Sequence, residues 1–97
     1  MEVVACLPTF EDLRQHVLKV LCAHDHLDAA QTPLFQQLLI RRGKPCGVRF
    51  EIQGPRRMRS SALWVGEENR IIFYDTGGVR FHETRMSEAP DPLTLAG

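Results

Sequence analysis

Three groups of residues carry the chemistry this chain could perform. Cys22-x-His24-x-His26, with Asp25 and Asp28 beside it, offers a thiol and two imidazoles, which are suitable zinc ligands. The spacing works against a site. Alternate residues of an extended chain point to opposite sides, and residues two apart on a helix do not face each other. The usual spacing of structural zinc ligands is also absent, and a helix end that attracts histidine through its dipole accounts for the run. No metal or other cofactor is expected.

His82 stands next to Glu83 and would approach Glu51 if the first and last strands of the sheet met, an arrangement suited to acid–base work. Neither a nucleophile nor a paired acid stands at motif spacing, so no catalytic residue is assigned and no enzyme is expected. Asp75-Thr76-Gly77-Gly78 lacks the lysine and following helix of a phosphate loop and reads as a hairpin turn.

The third group is basic. Arg56, Arg57 and Arg59 flank Met58, and Arg41, Arg42 and Lys44 precede them. Arginines on a hairpin can engage phosphates, and Trp64, Phe73 or Tyr74 could stack on bases. A nucleic-acid-binding domain using Arg41, Arg42, Arg56, Arg57 and Arg59 is therefore the alternative functional expectation. The net charge of zero, the pI near 6.9 and the lack of RNP, KH or zinc-finger signatures argue against it. The charge is nevertheless uneven. Residues 41–59 carry seven bases against one acid, while the flanks 1–40 and 60–97 are each at −3.

Ninety-seven residues, 43% of them apolar and 25% charged, suit one globular domain over 1–86 with a flexible tail at 87–97. No run approaches the roughly 20 apolar residues of a membrane span. The start, Met1-Glu2-Val3-Val4-Ala5-Cys6-Leu7-Pro8, is too short in apolar residues for a signal peptide. A cytoplasmic location follows as the default. Cys6, Cys22 and Cys46, odd in number and widely spaced, fit reduced thiols.

The elements that position these groups come from periodicity. Thr9 and Asp12 resemble a capping pair, and Phe10, Leu13, Val17, Leu18 and Leu21 recur at helical spacing. A second helix is expected over 32–43: Thr32 as cap, Pro33 at the first position, Leu34, Phe35, Leu38 and Leu39 as apolar face, Gly43 at the end. Four strands follow between Cys46 and Arg85, joined by connections of about four residues that permit only antiparallel neighbours. The phrase Gly-Val-Arg-Phe opens the first and last of them and reflects a shared apolar-in, basic-out alternation.

The expected fold is therefore α+β, two N-terminal helices on one face of a four-stranded antiparallel meander, with a small SH3- or Sm-like barrel as the alternative. Its core would join Leu13, Val17, Leu21, Leu34, Leu38 and Leu39 to Val48, Phe50, Ile52, Val79 and Phe81.

The middle strands carry apolar residues on both faces: Met58, Ala62 and Trp64 against Leu63 and Val65, Ile71 and Phe73 against Ile72 and Tyr74. Barrel closure, an added strand from Val3–Leu7, or a contact surface would each account for the surplus. The functional expectation is a non-catalytic protein-interaction module, self-pairing included, whose outer sheet face binds through Met58, Trp64, Ile72 and Tyr74.

Overall fold

The computed structural model describes residues 2–96. The chain runs β1 (Glu2–Cys6), α1 (Phe10–Asp25), β2 (Leu34–Arg41), β3 (Lys44–Gln53), β4 (Arg59–Val65), β5 (Arg70–Tyr74) and β6 (Arg80–Glu88), followed by a 3-10 turn at Pro92–Ala96. One six-stranded sheet results, in the order β1-β6-β5-β4-β3-β2. Its pairs are antiparallel except β1, which runs parallel to β6.

This corrects the expectation of two helices on a four-stranded meander. One helix covers a six-stranded mixed sheet. The stretch expected as a second helix is strand β2, so Leu34, Leu38 and Leu39 lie on a sheet edge instead of a helix face. Gly43 does not cap a helix. With Arg42 at φ 53° and Gly43 at φ 77°, the two residues form a two-residue turn that sends the chain back as β3. The barrel alternative fails as well, because β1 and β2 end the sheet without pairing to each other. Of the three accounts of the apolar surplus, the added strand is realised at Glu2–Cys6.

The first helix forms as its sequence dictates. Thr9 Oγ1 accepts from the Asp12 N–H at 3.1 Å, Thr9 N donates back to Asp12 Oδ2, and His26 ends the helix in a left-handed conformation. Its stripe of Leu13, Val17, Leu18, Leu21 and Cys22 is buried against β3 and β4. The sheet answers with Val48, Phe50 and Ile52 from β3, Ala62 and Trp64 from β4, and Ile71 and Phe73 from β5. Phe10 meets Phe50 and Trp64 with ring centroids 6.1 Å away in both cases. Each such large side chain contributes about 1.5–3 kcal/mol by leaving water. Val79 lies exposed in a turn and Phe81 is half-buried, so neither belongs to the inner core. Leu95 of the last 3-10 turn packs against the core from β3's side.

Candidate functional site

The sheet's pairing separates the residues expected to bind a partner. Leu63 faces Ile72 and Ser61 faces Tyr74 on the outer side, whereas Trp64 faces Ile71 on the helix side. Trp64 is fully buried there and contacts no partner from the outer face. Met58 lies at the turn before β4, 38% exposed, away from that row. On the outer face Ile72 is only 7% exposed and stands between Leu63 of β4 and Glu83 of β6.

The charges around Glu83 neutralise one another. Glu83 receives Arg70 Nη1 at 3.2 Å, Arg85 Nε at 3.4 Å and the guanidinium of Arg80, and Arg85 also reaches Glu2 at 3.1 Å. Desolvation alone would raise the Glu83 pKa. A hydrogen bond with Glu2 and the charges of Arg80, Arg70 and Arg85 outweigh it and hold the carboxyl below its ordinary value. Across the sheet, Glu51 pairs with Arg49 and Arg59. The arginine–glutamate layer shields much of the apolar surplus that the sequence places on this face.

β2 carries three exposed large apolar side chains, more than any other element. Phe35 is 50% exposed, Ile40 57% and Leu38 36%. The strand ends the sheet, so one side of its backbone has no neighbouring strand. Below it, Phe10, Gln36, Leu38, Val48 and Leu95 line a cavity of about 300 Å³, and Arg14 Nε donates to Gln36 Oε1 at 3.2 Å. Sequence reasoning missed this surface because it read the strand as a helix.

The basic residues form two clusters. Arg41, Arg42 and Lys44 surround the β2–β3 turn, and Arg56 and Arg57, both at positive φ, form the β3–β4 turn. Ten-residue β3 separates them by about 33 Å. Arg59 belongs to neither cluster, being paired to Glu51. The first cluster forms one wall of a cleft of about 730 Å³, whose other walls come from Pro45, Cys46, Gly66, Glu67 and Asp91–Leu93.

The histidine and cysteine groups are taken up by packing. Cys22 is buried, His24 stacks on Phe81 at a centroid distance of 3.7 Å, and His26 terminates the helix. No group of three potential metal ligands occurs among the described residues. Ser60 Oγ donates to Asp25 Oδ2 at 2.7 Å, and His24 Nδ1 meets Asp25 Oδ1 at 3.0 Å. This places the carboxylate between serine and histidine, the wrong order for activating a nucleophile, which needs the imidazole in the middle. His82 points to the helix side and Glu83 to the outer side, while Glu51 lies three strands away, so the expected acid–base trio does not assemble.

His82 joins a different group that sequence alone does not reveal. Its Nε2 lies 3.2 Å from Thr84 Oγ1, and His16 Nε2 lies 2.8 Å from the same oxygen. Burial lowers both imidazole pKa values, with His82 and Lys19 adding to the effect on His16. Asp75 Oδ1 accepts from the N–H groups of Gly77 and Val79, each at 2.9 Å, as a hairpin turn requires. No helix is long and apolar enough to cross a membrane among the described residues. No protein-family model, curated protein or solved structure matches this chain.

Proposed function

We propose that this chain is a non-catalytic protein-interaction module that pairs with a second copy of itself along β2. The observation that carries this reading is the character of β2 as an edge. It is eight residues long, exposes Phe35, Leu38 and Ile40, and contains no Lys, Glu, Asp or Pro. Strands left at an edge are usually blunted by charge, proline or short length, because their free backbone groups recruit other strands. The opposite edge, β1, is only five residues long, so although it exposes Val3 and Val4 it offers a shorter row of backbone groups.

The sequence of β2 is complementary to itself in one register. An antiparallel twofold axis through Gln37 sets Phe35 opposite Leu39 of the second copy on the outer face. Gln36 then faces Leu38 on the inner face. The two Gln37 amides, each both donor and acceptor, meet at the axis. Moving the axis to Gln36 or Leu38 would oppose Phe35 to Gln37 or to Arg41. Two Arg41 side chains stand at opposite ends of the seam, so no like charges face each other. Twofold dimers are also the commonest assemblies.

Sedimentation velocity of the wild type should give a dimer. Phe35→Lys and Ile40→Lys should give monomers with an unchanged circular dichroism spectrum. Gln37→Glu tests the register: two carboxylates on the axis should dissociate the dimer at neutral pH and allow it to reform once protonated, near the ordinary carboxylate pKa of about 4.3. A wild type that is monomeric at every soluble concentration would overturn the proposal.

A further inference from the structure

We infer that the cleft beside the β2–β3 turn binds a small phosphomonoester whose phosphate is held by Arg41, Arg42 and Lys44. The distribution of partners among the cations points there. Every arginine on β3 to β6 has a glutamate within ion-pair distance: Arg49, Arg59, Arg70, Arg80 and Arg85. Arg41, Arg42 and Lys44 have no ion-pair partner among the described residues. The net charge of zero conceals this, because four glutamates, Glu2, Glu51, Glu68 and Glu83, lie against the strand arginines and none lies within ion-pair distance of the turn.

Cross-strand register sharpens the point. Arg41 stands directly opposite Lys44, and like charges in that relation repel. The sheet has another such pair, Arg70 opposite Arg85, but Glu83 lies against both. The Arg41–Lys44 pair has no such acid and leaves a place for an external anion. Arg42 projects from a turn fixed by two successive positive φ angles, so the three cations are held on a short, defined backbone. A phosphomonoester carries about −1.5 to −2 at neutral pH, a better match to three cations than one carboxylate. Guanidinium groups also suit its oxygens in pairs.

The rest of the cleft describes the remainder of the ligand. Its volume of about 730 Å³ lies within the range of small-molecule sites. The far wall is built firmly: a Cβ on Gly66 would stand 2.6 Å from Pro92 Cγ, so the final 3-10 turn is seated directly on the β4–β5 connection. Pro45, Pro92 and Leu93 are apolar, whereas Glu67 and Asp91 offer acceptors. Asp91 Oδ1 accepts from the Leu93 N–H at 3.0 Å, which still leaves its second oxygen, together with the Glu67 carboxylate, to accept from a ligand. Hydroxyl groups suit that wall, and a second anionic group does not. The ligand class is thus the phosphate ester of a compact hydroxylated molecule.

The test is a nitrogen–proton correlation titration of the whole chain with inorganic phosphate and with glucose 6-phosphate. Saturable shifts should be confined to residues 41–46, 66–67 and 91–93, with the ester binding more tightly than phosphate alone. The double variant R41Q/K44Q should weaken binding about tenfold or more, the loss typical of a charge-assisted hydrogen bond. R56Q/R57Q, which removes equally free cations at the other end of β3, should leave the affinity within about twofold. Repeating the titration on Phe35→Lys separates the site from self-pairing. Absence of saturable shifts, equal losses in the two double variants, or tighter binding of a single-stranded oligonucleotide than of the ester would each overturn the assignment.

Discussion

Gly47 has no room for a side chain. A Cβ there would stand 2.1 Å from the Trp64 carbonyl oxygen, a backbone atom that cannot step aside. Gly47→Ala should therefore lower the melting temperature far more than an alanine at Gly78, where no atom lies within 4 Å and only the positive φ opposes the change. Phe50 is fully buried beneath α1, and Phe50→Ala should cost about 3–5 kcal/mol, measured by denaturant unfolding. Phe81→Ala should cost less, since that ring is half-buried and stacks on the exposed His24.

The histidines around Thr84 set a pH dependence. Their lowered pKa values mean that the native state binds fewer protons than the unfolded chain below the ordinary imidazole value of 6.5. Stability is complete above that value and declines as the pH falls through it. A melting curve series from about pH 7 to about pH 5 should show the decline, and His16→Gln with His82→Gln should flatten it. Glu83 acts in a separate window. Its depressed pKa keeps its contribution present above 4.5 and loses it only as the pH falls further.

At the level of elements, α1 was legible because its signals agree. The cap at Thr9, the acid at Asp12 and the stripe Leu13–Val17–Leu21 all specify one helix with one buried face. Thr9→Ala should cost about 1 kcal/mol, read as a shift in the denaturation midpoint. The runs that became β3, β4, β5 and β6 also showed themselves, through alternation and turn residues. β2 did not, and the reason is its place in the sheet. An edge strand half-exposed on both faces has no period-two pattern to display, and Leu34, Phe35, Leu38 and Leu39 fall by chance on helical spacing. Pro33 and Gly43 then mimic helix boundaries while serving as a strand entry and a hairpin turn. The same two-sided exposure that hid the strand is what makes it available for pairing. For the candidate sites, sequence supplied the basic residues of the cleft but joined them to Arg56 and Arg57, because it could not show that β3 holds the two turns apart.

At the level of the molecule, the pairing of β1 with β6 has a kinetic consequence. Glu2 finds its register with Glu83, and Ala5 with Met86, so the sheet is completed only when the earliest and latest strands meet. During synthesis the remaining strands can zip by local hairpins, each closing a short loop, while β1 waits for β6. Closure of the largest loop in the fold should then limit the rate. Mutations within β1, such as Ala5→Gly, should slow folding more than they accelerate unfolding while leaving early hairpin formation untouched, a pattern visible in the two arms of a chevron plot. A nascent chain still lacking residues 80–88 has every other strand in hand and remains an open sheet, exposed to whatever else can supply the missing strand.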